Sequence, residues 1–231
     1  MSAKAQAVVE SLDCRVHAAI SQFDLPTFDG RLGWALRQVK RSTRLTKTDI
    51  VFVVSADTRA SAVADRVSQY RKAGRFALGA CANTSMSLSR PMASVAQLKP
   101  SQWRISLRML LTSVTAMIGE GQPEAFVCID WRDVVGALKA PGELIFEWSV
   151  RNNADAFNSV FRRVKSRLSG RQCRSMLCLL SGGRHPWFAE LRAALKTCRN
   201  VLTVGGVLVG GDRIVPFGGN PGCCLIVVAD Q

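Results

Sequence analysis

The spacing of apolar and polar positions changes several times along the chain, and each change marks an element. Val8, Leu12, Val16 and Ile20 recur every four residues, which predicts an amphipathic helix over residues 3–22. Pro26 and Gly30 break it. A second helix is predicted over residues 31–44, with Leu32, Ala35, Leu36 and Val39 inward and Arg37, Lys40 and Arg41 on its polar face. The pattern then becomes continuous. Ile50-Val51-Phe52-Val53-Val54 is β-branched or aromatic throughout, as in strands covered on both faces in a parallel sheet. A helix over residues 63–73, a short strand over 75–81 and a Ser-, Met- and Pro-rich linker over 83–100 follow.

Residues 101–119 predict a long helix that is apolar around most of its circumference, which implies burial between two layers. Met109 and Met117 suit core filling there. Beyond it the chain alternates regularly. Strands are predicted over 143–150, 175–180, 201–209 and 223–229, and helices over 152–168 and 187–198. The last two strands are joined through a glycine-rich stretch, 205–222. Alternating strands and helices give an α/β protein.

A chain of 231 residues with 48% hydrophobic content builds one large domain or two small ones. Its formal net charge of +14 implies attraction to acidic partners, nucleic acid or an anionic surface. The basic residues form no long block, so a solvated basic exterior explains them more simply than a dedicated groove. None of the eight cysteines forms a CxxC pair, and with two histidines no metal site and no cofactor are expected. Residues 1–10 lack the apolar core of a signal peptide, and no apolar run reaches membrane-spanning length. The expectation is a reduced, cytoplasmic protein with no membrane span.

The stretch with chemical potential is EAFVCIDWRDVVGALK, residues 124–139. Asp130 is placed to cap a helix, and Asp133 lies in its first turn. Two carboxylates there can orient a water or a cation; more simply, they cap a helix and charge its first turn. After the first buried strand, Ser55-Ala56-Asp57-Thr58-Arg59-Ala60-Ser61-Ala62 stands where a phosphate-binding turn would. It has no glycine, and Asp57 puts negative charge in its path, so a non-binding turn is expected. The glycine pairs at 205–206, 210–211 and 218–219 open no helix and suit turns and bulges, and His185 has no nucleophile or base beside it in sequence.

These pieces together resemble the tubulin/FtsZ superfamily from about residue 49 onward, best over residues 105–229. The order is a long central helix, an Asp-x-x-Asp loop, a helix, then strand, helix, strand, helix and two strands. In bacterial FtsZ the loop reads close to N-x-D-F-A-D-V; here Cys128-Ile129-Asp130-Trp131-Arg132-Asp133-Val134 keeps both acids and the aromatic, with Cys128 in place of Asn. Leu177–Gly182 (LCLLSG) is similar to the family's strand before its Thr/Ser-Ala-Gly turn, and residues 200–206 to its penultimate strand. The glycine-rich GGGTGTG signature falls on the loop at 55–62, where only Thr58 and small residues remain.

The resemblance implies a partial parallel-sheet layer, a long central helix and an FtsZ C-terminal-domain-like α/β sandwich with a mixed four-stranded sheet. The corresponding domains are residues 1–100, a reduced nucleotide-domain remnant with two N-terminal helices; 101–123, the connecting helix; and 124–231, the activation-type domain. Family GTPase activity is shared between subunits, one holding nucleotide and the next inserting the acidic loop. A chain with the loop and without the cradle is expected to be non-catalytic. Its expected role is to bind cell-division FtsZ or a related tubulin-like polymer and to modulate or cap its filaments. Cys128, Asp130, Trp131 and Asp133 would form that interface, and a homo-oligomer is a further option. Two other readings stay open. One is a basic nucleic-acid or anionic-surface binder using Arg162, Arg163, Lys165, Arg167, Arg171 and Arg174 beside Arg37, Lys40 and Arg41. The other is an active GTPase with an unrecognised pocket.

Overall fold

The computed structural model describes residues 7–11, 37–38, 50–56, 60–82, 94–118, 129, 131–140, 142–150, 153–181, 188–212 and 222–230. The chain divides into two compact units, Met1–Leu111 and Thr112–Gln231.

The first unit is built on a parallel sheet. Its strands are β1 (Ala7–Ser11), β2 (Arg37–Gln38), β3 (Ile50–Ser55), β4 (Phe76–Ala82) and β5 (Val95–Leu98), in the order β2-β1-β3-β4-β5. Every adjacent pair is parallel. All six residues of β3 are buried, as the unbroken apolar run requires. Helix α1 (Ala60–Lys72) joins β3 to β4 and presses Val63, Val67 and Tyr70 onto Val51, Val53, Ala77, Cys81 and Val95. The approach is close at Gly79, where a Cβ would meet Val63 Cγ1 at 2.6 Å and Val95 Cγ2 at 2.8 Å.

The predicted N-terminal helices are corrected here. Residues 7–11 and 37–38 are strands; the rest of both expected helices lies outside the described residues. The four-residue spacing put Val8 inward and ignored Val9, yet Val9 is fully buried. Ala7-Val8-Val9 gains a full backbone ladder by pairing Val8 with Val51 and Val9 with Phe52, so sheet context overrides the helical period. Glu10 is then held from α1: Arg66 Nε donates to Glu10 Oε2 at 2.9 Å and Nη2 to Oε1 at 2.9 Å, while its guanidinium lies over the Tyr70 ring. The linker expected over 83–100 also contains β5, and Ser94 N-terminal to it accepts the Gly79 amide at 2.8 Å.

After a 3₁₀ turn, Pro100–Gln102, helix α2 (Trp103–Ile118) carries the chain from the first unit into the second. Leu107, Leu110, Leu111 and Val114 are buried as expected. Burial is not continuous around it: Arg104, Ile105 and Arg108 share an exposed face, with Ile105 56% exposed. The two arginines make that face the solvent side and take the apolar Ile105 with them.

The second unit holds the mixed four-stranded sheet that the sequence predicts. Its strands are β6 (Glu143–Val150), β7 (Cys173–Ser181), β8 (Leu202–Asp212) and β9 (Gly222–Ala229), ordered β6-β9-β7-β8. β9 runs antiparallel to β6 and β7, and β7 runs parallel to β8. All eight residues of β9 are buried, each large aliphatic contributing about 1.5–3 kcal/mol. Helices α4 (Asn153–Leu168) and α5 (Phe188–Arg199) cover one face, packing Ala156, Val160, Val164, Leu191 and Ala194 on Met176, Cys178, Leu225 and Val227. Helix α3 (Trp131–Leu138) covers β7 and β8 on the other, where Ser175 Oγ donates to the Ala137 carbonyl at 2.6 Å. β8 runs three residues further into the glycine-rich stretch than predicted, because its ladder with β7 continues to Asp212 opposite Leu180.

Candidate functional site

Three places carry the chemistry that the sequence singles out. The first is the acidic helix start. Val134, Val135, Ala137 and Leu138 anchor α3, while Arg132, Asp133, Gly136 and Lys139 form its exposed side. Asp133 therefore stands in the first turn with its carboxylate toward solvent, where the free amides favour negative charge. Cys128 and Asp130 lie outside the described residues, and Trp131 is described in its backbone alone. Of the four expected interface residues, Asp133 is the one whose side chain the structure places.

The second is the expected basic surface on α4 and after it. Arg162 and Lys165 are exposed. The other four arginines are tied to carboxylates of the same unit. Arg163 Nε donates to Glu147 Oε2 at 2.8 Å, and its two terminal nitrogens reach Ser159 Oγ at 2.7 Å and the Trp148 carbonyl at 2.5 Å. Arg167 lies 3.3 Å from Glu147 and 3.6 Å from Glu143. Arg171 donates to Glu143 at 2.5 Å and to the Arg167 carbonyl at 2.7 Å. Arg174 pairs with Asp230. These contacts make a ladder binding α4 and β7 to β6 and β9, and they consume most of the charge that the sequence offered to an outside partner.

The third was missed. In an open parallel sheet, ligands sit beyond the carboxyl ends of the strands, where the order reverses. The order β2-β1-β3-β4-β5 reverses between β1 and β3, whose carboxyl ends are Ser11 and Ser55. Ala56 bends away after β3, and α1 begins at Ala60. Asp57, Thr58 and Arg59, the centre of the turn read as non-binding, lie outside the described residues. The signal in the sequence was Val8-Val9, two adjacent β-branched residues inside an apparent helix.

The described cysteines are buried thiols. Burial pushes Cys81 up to about 11, and burial with Cys198 close by pushes Cys173 up to about 12. Cys224 is raised to about 12, again chiefly by burial, and Cys198 is raised by its hydrogen bond with Cys178 and by burial. Such thiols stay protonated and unreactive at neutral pH. Among the described residues no His, Cys, Asp and Glu group is arranged to hold a metal, and no helix is long and apolar enough to cross a membrane.

No family model matches the chain, and no curated protein matches it in sequence. In three dimensions it is similar to FtsZ of M. jannaschii. An empty FtsZ dimer aligns over 78% of this chain and 63% of that one, with TM-score 0.59 and 10% identity. A point mutant of the same FtsZ aligns over 79% and 65%, with TM-score 0.56 and 14% identity. The chain thus has a tubulin/FtsZ-like fold, and it spans less than two thirds of the length of these structures.

Proposed function

We propose that this chain is a non-catalytic FtsZ-like protein that binds an FtsZ or a related tubulin-like polymer through the face carrying α3 and modulates or caps its assembly. The observation that carries this reading is the solvent-facing Asp133 at the start of α3, on a fold similar to FtsZ. A filament grows by a repeated head-to-tail contact. A subunit offering a competent face at one end and none at the other stops addition. The glycine-free stretch at 55–62 supports the lack of catalysis, since preorganised amides around phosphates are what phosphoryl transfer requires. The surplus positive charge would speed encounter with an acidic partner.

Co-sedimentation with M. jannaschii FtsZ and GTP tests it. Polymer mass and GTP turnover change with added chain, and Asp133→Ala removes the effect while leaving far-UV circular dichroism intact. Unchanged polymer and turnover across a full titration reject it.

A second reading is favoured by one observation. The reversal of strand order between β1 and β3 is the place where open parallel sheets take ligands, so a nucleotide bound there is the competing function. Calorimetry with GTP and GDP decides between them: a stoichiometric heat of binding would replace the non-catalytic reading.

A further inference from the structure

The helical layer of the second unit sorts its cations into two sets. α4 and α5 lie side by side on one face of the sheet. Each joins two parallel strands, α4 from β6 to β7 and α5 from β7 to β8, so both run in the same direction. Ala156, Val160 and Val164 form the buried stripe of α4, and Leu191, Ala194 and Cys198 that of α5. Away from those stripes, Arg162 and Lys165 of α4 and Arg192, Lys196 and Arg199 of α5 stand exposed. None of the five pairs with a carboxylate among the described residues. Arg163 and Arg167 of the same helix belong to the other set, with Glu147 and Glu143 beside them. The acids of the two helices, Asp155 and Glu190, are confined to the first turns. Arg192, Lys196 and Arg199 lie outside the basic set expected from the sequence.

Along an α-helix, residues three and four apart rise about 4.5 and 6 Å, and the axes of packed helices lie about 8–10 Å apart. The five cations therefore form two short rows on a packed, rigid layer.

We propose that this face binds the phosphate backbone of double-stranded nucleic acid without reading its sequence. A duplex carries one negative charge per about 1.7 Å of axis, divided between two strands, so both rows meet phosphates on one stretch of it. The face lacks what other anionic partners require. None of the large apolar side chains exposed among the described residues lies on α4 or α5. There is thus no apolar wedge for a bilayer and no apolar centre of the kind that protein interfaces bury. Nor is there an exposed aromatic on which unpaired bases would stack. The surface is separate from α3, which covers the opposite face of the sheet, so a chain held through α3 keeps its cations available.

Fluorescence anisotropy of a labelled DNA duplex of arbitrary sequence, titrated with the full chain over a salt series, tests the assignment. Affinity falls as salt rises, and the slope of log K against log salt is about −4 to −5, as five phosphate contacts require. Arg192→Gln, Lys196→Gln and Arg199→Gln combined make the slope shallower by about 3, and Arg162→Gln with Lys165→Gln by about 2. Lys99→Gln with Arg104→Gln, at two exposed cations of the first unit, leaves it at the parent value. Duplexes of different sequence bind alike. Circular dichroism checks that each variant is folded. Absence of duplex binding at low salt overturns the proposal. So does a triple α5 variant that keeps the parent slope, or an equal loss from the Lys99 and Arg104 changes. Tighter binding to single-stranded DNA, or to vesicles of phosphatidylserine and phosphatidylcholine, than to the duplex overturns it as well.

Discussion

The two units differ in their balance of charge. Residues 1–111 contain 17 Lys and Arg against 7 Asp and Glu; residues 112–231 contain 14 against 10. The stretch from Arg66 to Gly119 has eight basic residues and no acidic one. In the second unit, Glu143, Glu147 and Asp230 draw in Arg163, Arg167, Arg171 and Arg174. Of the six residues expected to form a basic surface, Arg163, Arg167, Arg171 and Arg174 are tied to carboxylates of their own unit, while Arg162 and Lys165 stay exposed. Among the described residues of the first unit, Arg66 makes such a pair as well, with Glu10.

The largest effect expected is in alkali. A thiol ordinarily ionises near 9.0, and burial raises it in the folded chain. The unfolded chain therefore loses its proton first, so stability is intact below about pH 9 and falls as pH rises toward the folded values of about 11 and 12. Each thiol removes up to about 1.4 kcal/mol per pH unit in that window. Five of the described buried thiols are in the second unit and one, Cys81, is in the first. The urea midpoint falls steeply from pH 9 to 10. Cys81→Ala changes that slope little, and replacing Cys223 and Cys224 together by Ala makes it visibly shallower. Equal slopes would break the contrast.

Core truncation comes next. Phe52→Ala in β3 loses about 3–5 kcal/mol and Leu177→Ala in β7 about 2–5 kcal/mol, both being fully buried. Amide exchange locates each loss, in β3 and β4 for the first and in β7 and β9 for the second.

The carboxylates sharpen the comparison directly. Glu147→Gln lowers the unfolding free energy by about 2–3 kcal/mol, because the residue is 8% exposed and serves two arginines. Glu10→Gln costs about 1 kcal/mol or less, since the Arg66 side chain is 41% exposed and water takes over its charge. Equal losses in urea titrations would mean that the ladder is no stronger than a surface pair. Smallest of all, Ile105→Gln on the solvent side of α2 stays within about 0.5 kcal/mol of the parent.

The second unit was legible in the sequence because its signals agree with one another. Cys223–Ala229 is apolar throughout and central, the Asn153 helix has a clean inward stripe, and Glu143–Val150 is rich in strand formers. The first unit was legible where burial is complete, at Ile50–Ser55, and illegible where pairing decides the outcome. The one local hint in Ala7–Ser11 is the Val8-Val9 pair, and it does not outweigh the helical period until Ile50–Ser55 lies beside it. For the same reason β2, two residues long, leaves no periodic trace. The candidate sites followed that division. Asp133 was readable from the helix-start pattern. The fate of Arg163, Arg167 and Arg171 was not, because their partners lie 16 to 28 positions away in sequence and meet them through sheet register.

β9 sits between β6 and β7, and it is the last of the four to emerge from the ribosome. Until then β6 has no neighbour in its own unit, and the β7–β8 pair has its inner side bare. Assembly of this half must therefore wait for translation to reach Ala229, with apolar strand edges in the open meanwhile. Nascent chains stalled before that point should be conspicuous customers for chaperones, whereas the parallel half already has all five of its strands.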